Sequence, residues 1–205
     1  MDQALLSTSS LDEETARAEI YGLLAELYYA APSETLHEKL TLAVTQAPAA
    51  GALLEASWSA LVAAARKYST QDIKRQYTDL FGGVGKPEIY LFGSHYLSGF
   101  INEKPLAALR TDLAEMGLSR DESLPETEDH VAYTCEVMRY LIAGDDVALA
   151  NLTRQRDFFA RHVKTWLPRM CEVVIAHPKA GFYRDLAVFT EAFMDVEAQG
   201  FDMLT

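Results

Sequence analysis

Residues 77–99, YTDLFGGVGKPEIYLFGSHYLSG, begin as helix and then leave it. Ile73, Tyr77, Leu80 and Phe81 stand at i, i+4, i+7 and i+8, the apolar stripe of an amphipathic helix. Gly82-Gly83 is expected to end that helix in the left-handed conformation, which glycine adopts without steric cost. The segment that follows holds Gly85, Pro87, Gly93 and Gly99 and reads as a loop. It also carries Ile89, Tyr90, Leu91, Phe92, Tyr96, Leu97 and Phe100. Surface loops are mostly polar, because water satisfies their backbone. A loop this apolar either packs onto the core as a lid or lines a groove that receives something, and the residues leave both readings open.

On its N-terminal side, Ser10 and Glu13 fit a capping box ahead of the stripe Ala16, Ile20, Leu23, Leu24 and Leu27, which Pro32 stops. Ser33 opens a second helix with Leu36, Leu40, Ala43 and Val44 inward, and Pro48 to Gly51 break it. A third runs from Ala52 to Tyr68 with Leu54, Trp58, Leu61, Val62 and Ala65 on one face. Ser69 or Thr70 caps the fourth, which ends at Phe81. On the C-terminal side, Lys104-Pro105 starts a fifth helix carrying Leu106, Leu109, Leu113 and Met116, with Gly117 as its stop. The linker SRDESLPETED leads to a sixth, from about Glu126 to Ala143. Asp146 caps a long seventh through Leu152, Phe159, His162 and Trp166; Pro168 bends or restarts the chain before Arg169–Ala176 and Gly181–Ala198. Outside a few residues of the central loop nothing alternates with a period of two. The expected fold is all-α. It is a single-domain bundle over residues 1–205 of about 8–10 helices, with a long apolar loop between the fourth and fifth and a candidate hinge at 118–126.

The net charge of −12, from 18 basic and 30 acidic residues, argues against a nucleic-acid binder, which needs a basic face, and suits a basic partner. Cys135 and Cys171 form neither a disulfide framework nor a metal knuckle, and read as buried thiols in a reducing compartment. The opening MDQALLSTSS lacks the features of a signal peptide, and no run approaches the length of a membrane span. A cytoplasmic protein without metal or cofactor is expected.

Catalytic motifs are mostly absent: there is no Walker loop, GxSxG, HExxH or pair of CxxC knuckles. Ser94 and His95 are adjacent, and sequence neighbours rarely form a nucleophile–base pair. His37, His162 and His177 read as structural or surface residues. Glu126-Thr127-Glu128-Asp129-His130 lies at the mouth of the sixth helix, where Thr127 can cap and the acids favour the positive end of the dipole. A protonated histidine there opposes the dipole, whereas a neutral one can present hydrogen-bonding groups to a ligand. An acidic helix start and a ligand site both fit these residues.

Taken together, Tyr77, Leu80-Phe81, Gly93-Ser94 with Tyr96-Leu97, and Glu126 with Asp129-His130 resemble the redox-enzyme maturation chaperones. These are the dedicated chaperones of twin-arginine-exported molybdoenzymes such as trimethylamine N-oxide, dimethyl sulfoxide and nitrate reductases. Phe158-Phe159, His162, Trp166 and Phe182-Tyr183 resemble the C-terminal half of that family, so the resemblance covers most of the chain. Many members carry Pro-Trp where Leu91-Phe92 stand here, and a proline where Thr127 stands. These departures keep the apolar character and bear on which client is served.

The resemblance implies a non-enzymatic all-helical protein that binds the twin-arginine signal peptide of a molybdenum-cofactor oxidoreductase. It would hold the apoenzyme until cofactor insertion, before export, without cofactor of its own. The peptide-binding residues it implies are Tyr77, Leu80, Phe81, Leu91, Phe92, Ser94, Tyr96, Glu126, Asp129 and His130, in a monomer or a helix-exchanged dimer. A basic head and an apolar segment suit an acidic protein with an apolar groove bordered by Glu126, Glu128 and Asp129, since a carboxylate accepts an arginine fork bidentately. Two other readings stand beside it: a helical adaptor binding another folded protein, and a small hydrolase using Asp129, His130 and Ser94.

Overall fold

The computed structural model of the chain describes residues 2–45, 53–82, 85–121 and 123–203, with only the backbone course given for 2–12. Ten α-helices occur among them: α1 (Asp2–Tyr29), α2 (Glu34–Leu42), α3 (Glu55–Lys67), α4 (Thr70–Phe81), α5 (Gly93–Ser98), α6 (Lys104–Glu115), α7 (Val131–Ala143), α8 (Leu152–Phe158), α9 (Leu167–Ala176) and α10 (Phe182–Asp202). A π-helical turn, Phe159–Val163, follows α8. The all-α class is as expected: no strand occurs among the described residues, and one isolated antiparallel bridge joins Phe92 to His130. No described helix is long and apolar enough to cross a membrane.

Two compact units divide the chain, Met1–Tyr29 with Phe92–Thr165 and Ala30–Leu91 with Trp166–Thr205. The chain therefore passes from one to the other after residues 29, 91 and 165. Residues 118–126, the candidate hinge, lie within the first unit.

In the first unit α1 packs chiefly on α7. Tyr21, Leu24, Leu27 and Tyr28 are fully buried at i, i+3, i+6 and i+7, and Val131, Met138 and Leu141 of α7 are equally buried. The helix starts at Asp2 rather than at a cap on Ser10, because no glycine or proline interrupts residues 2–10. Pro105 enters α6 in its first turn, where a missing N–H costs nothing. Its end is a Schellman turn: Leu118 N–H donates to Leu113 O at 2.9 Å and Gly117 N–H to Ala114 O at 3.0 Å. Gly117 takes φ +70°, a conformation that strains any residue with a Cβ. Asp146 does not cap the next helix. Its side chain accepts from Ala148 N–H in a turn of its own, and Asn151 caps α8 by accepting from Arg154 N–H at 3.0 Å. The π turn then brings Arg161 and His162 together onto the Asp112 carboxylate of α6, Arg161 at 3.0 Å.

In the second unit α10 packs against α3 and α9. Leu61, Val62 and Ala65 meet a core that includes Phe182, Leu186, Phe189 and Phe193, all essentially buried. Ser33 caps α2 as expected, and Ser69 forms a full capping box with Asp72 at the start of α4. Val44 is 77% exposed, so the inward face expected of the second helix stops at Leu40. The helix ends at Leu42, and Val44 falls beyond its period. His37 is structural: its ring meets Ala65 O and the Thr70 hydroxyl, both at 2.8 Å. Gly82 closes α4 in an extended conformation, φ −116°, rather than a left-handed one, with its N–H on Thr78 O. Gly83 and the break expected at Pro48 to Gly51 lie outside the described residues.

Candidate functional site

The apolar loop is neither wholly lid nor wholly groove. Its first half is core: Ile89 and Leu91 are buried, and Ile89 N–H donates to Leu80 O at 2.9 Å within the second unit. Leu80 itself has no exposed surface. Leu80 and Leu91, expected to line a peptide groove, are thus packing residues; period-3.6 spacing marks a buried face without saying what covers it. Tyr77 and Phe81 remain half-buried, and both rings pack on Tyr183, with centroids 5.8 and 5.1 Å away. Beyond residue 91 the chain joins the first unit and turns helical again as α5, where continuous loop was expected.

At the start of α5, Phe92 pairs with His130 through the bridge, and Gly93 N–H donates to Asp129 O at 2.9 Å. The Asp129 carboxylate is 4% exposed and both its oxygens are engaged, Oδ2 by Ser94 N–H at 2.8 Å and Oδ1 by the Thr127 hydroxyl at 2.7 Å. Ser94 Oγ accepts from Asn102 N–H at 3.2 Å. Asp129 was expected to meet an arginine of the ligand. Its geometry instead makes it the fastener that holds α5 against the mouth of α7.

His130 is the N-cap of α7, which begins at Val131 rather than at Glu126. Its Nδ1 accepts from Ala132 N–H at 3.2 Å, the bond a Ser or Asp cap would ordinarily make. The sequence gives no capping credit to histidine, which is why this role is illegible there. An accepting Nδ1 assigns the proton to Nε2, and no acceptor for that N–H occurs among the described residues. Burial holds the imidazole neutral, lowering its pKa from 6.5 to about 4 against the opposing pull of Asp129. Three aromatic rings surround it: Phe92 at 5.1 Å and Tyr29 at 6.3 Å, both edge-on, and Tyr133 at 5.9 Å. Tyr133 lies one turn along the helix and was within reach of sequence reasoning. Tyr29, a hundred residues away in the chain, was not.

The acidic segment is largely neutralised. Glu128 bonds Arg110 of α6 at 2.9 Å; burial works to raise its carboxyl pKa, and the Arg110 guanidinium, its own backbone N–H and the Arg120 charge together more than reverse that. Arg110 was missed, because only tertiary packing brings it here. Glu126 keeps a carboxylate that makes no hydrogen bond or ion pair among the described residues, although its backbone carbonyl accepts from Arg120. Tyr96 is half-buried, its ring 5.0 Å from that of His95. The hydrolase arrangement is not assembled. Asp129 holds the backbone of Ser94, not its hydroxyl, and His130 Nδ1 is occupied by its own helix. Among the described residues no group of three His, Cys, Asp or Glu side chains is placed to hold a metal ion.

Fold and corner together define an all-α protein that offers a neutral imidazole donor among aromatic rings at a helix mouth. The family described as nitrate reductase delta subunit matches residues 47–172. The chain belongs to that family. It is also similar to the chaperone protein TorD of Vibrio cholerae serotype O1, strain Classical Ogawa 395, at 28% identity over 205 aligned positions, 92% of this chain and 93% of that protein. TorD of the El Tor strain N16961 is 27% identical over the same shares. TorD of Vibrio parahaemolyticus is 24% identical over 135 positions, 62% of this chain and 63% of that protein.

Proposed function

We propose that this protein is a maturation chaperone for a redox enzyme, holding a molybdoenzyme precursor by its twin-arginine signal peptide until cofactor is inserted and export can begin. One observation carries the reading: the His130 Nε2–H, fixed in tautomer by the capping bond, finds no acceptor among the described residues and is flanked by Tyr29, Phe92 and Tyr133. A backbone carbonyl of an extended peptide satisfies that donor, and apolar side chains pack on the rings. Glu126, four residues before the cap and unpaired among the described residues, supplies a carboxylate for an arginine fork. Family membership and the TorD relatives support a chaperone over the adaptor and the hydrolase. The role is binding without turnover, in the cytoplasm where the client is synthesised.

Calorimetric titration with a synthetic twin-arginine signal peptide tests this. Wild-type protein binds, and His130→Asn, which retains a capping oxygen but not the imidazole donor, binds about tenfold more weakly, the worth of one hydrogen bond. Unchanged affinity in His130→Asn removes this residue from the site. A client stripped of its signal yet bound as well as the intact one favours the adaptor.

A further inference from the structure

The first unit contains a cavity of about 220 Å³ that the corner at His130 does not include. Leu113 of α6, Leu118 and Leu124 of the following segment, and Val137, Tyr133 and Tyr140 of α7 line it. The charged groups at its edge are already engaged, while the buried Tyr133 hydroxyl has no hydrogen-bond partner among the described residues. Arg120 Nη1 donates to Leu124 O and Glu126 O at 2.7 and 2.9 Å, which ties the 118–126 segment around the opening. Glu128 bonds Arg110, Glu136 bonds Arg139, and Asp121 accepts from Ser123. A small polar ligand needs a few convergent, unsatisfied groups to orient it. This cavity has an apolar wall and a neutralised rim instead, which fits a large uncharged side chain.

Tyr133 belongs to both the cavity and the corner. It lines the cavity, and its ring stands 5.9 Å from the imidazole of His130. Burial pushes its phenol up to about 12, and the neighbouring Tyr29 and the Glu126 carboxylate add to that shift, so Glu126 too stands within electrostatic reach. Carbonyl acceptor site, apolar cavity and unpaired carboxylate therefore converge on one ring. An extended strand advances about 3.3 Å per residue, so a peptide whose carbonyl meets His130 places a side chain about two residues on at the cavity. We propose that the cavity seats one large apolar side chain of a basic, extended peptide, with Glu126 facing its arginine. This rests on the peptide-binding reading above and adds where side-chain selectivity resides.

Val137 and Leu118 are half-buried and take no part in the hydrogen bonds at Asp129 and His130, and Leu118 enters the Schellman turn through its backbone N–H alone, which suits them to the test. Val137→Trp fills the cavity, and Leu118→Asp puts a charge at its mouth. Each is titrated with two synthetic peptides, one carrying consecutive arginines and an apolar segment, the other with the apolar positions changed to serine. The expected result is a loss of tenfold or more for the apolar peptide in both variants and little change for the serine peptide. If Val137→Trp fails to fold by circular dichroism, Leu118→Asp decides. Wild-type affinity in the folded variants, or equal weakening of both peptides, overturns the cavity assignment while His130→Asn still reports on the corner. Binding of neither peptide by wild-type protein overturns both.

Discussion

Two aromatic clusters, one in each unit, look alike in sequence and differ in what their polar atoms do. Around His130, the rings of Tyr29, Phe92 and Tyr133 enclose an imidazole with one nitrogen bonded to its own helix and the other without an acceptor among the described residues, and the Tyr133 hydroxyl beside it is buried without a partner there as well. Around Tyr183, the rings of Tyr77, Phe81 and Phe182 enclose a phenol whose oxygen is fully buried with no hydrogen-bond partner among the described residues. Burial drives the Tyr183 phenol far above its usual range. An unsatisfied atom is therefore not by itself a site. The imidazole nitrogen carries an N–H donor among three rings at a helix mouth, whereas the Tyr183 oxygen is sealed and only costs stability.

The contrast breaks first at Leu80. A fully buried leucine of the second cluster's helix belongs to packing, so Leu80→Ala costs roughly 2–5 kcal/mol of stability, read as a lowered denaturant midpoint. A variant that melts like wild type but loses peptide would return Leu80 to the binding surface. Next comes Asp129→Asn, which exchanges a carboxylate holding Ser94 N–H and the Thr127 hydroxyl for a neutral amide. Bonds to charged groups contribute about 1.5–3 kcal/mol each, so a clear destabilisation is expected, larger than the charge–dipole effect of an exposed helix start.

Acid sharpens the comparison at His130. Its folded pKa, about 4, lies below the unfolded 6.5, so the unfolded state binds the proton first. Its contribution is fully present above pH 6.5 and is lost as pH falls from there towards 4, by an amount on the order of a few kcal/mol. His130→Asn flattens the melting-temperature profile across that window; a profile unchanged from wild type would mean the imidazole is not held neutral. The smallest effect is expected at Tyr183→Phe. Removing an oxygen that bonds nothing leaves stability unchanged or slightly raised, and a loss above about 1 kcal/mol would reveal a partner for it in solution.

Helix existence was legible almost throughout, because Leu106, Leu109 and Leu113 or Leu186, Phe189 and Phe193 carry a strong period. Boundaries were less so. The true start of α7 rests on a histidine cap, and that of α8 on Asn151 where Asp146 offers the same chemistry five residues earlier. Local pattern singled out Asp129 and His130, yet it did not show that the Asp129 carboxylate is taken up by Ser94 N–H and the Thr127 hydroxyl. Whether a carboxylate faces a ligand or two backbone N–H groups depends on Ser94 and Gly93, which only folding brings beside it. Glu128 misled for the same reason, since its charge is answered by Arg110 from another helix.

Interleaving of the two units sets a problem in time. The face of α1 is covered chiefly by α7, yet residues 30–130 must be synthesised between them. At about 5–20 residues per second, the ribosome takes roughly 5–20 s to add that length. For that interval Tyr21, Leu24, Leu27 and Tyr28 form an apolar stripe on a nascent helix with no native partner. Neither unit can close before residue 166 is being added, since each is built from chain on both sides of the other. A protein proposed to hold another's unfinished chain thus passes through its own long unfinished stage.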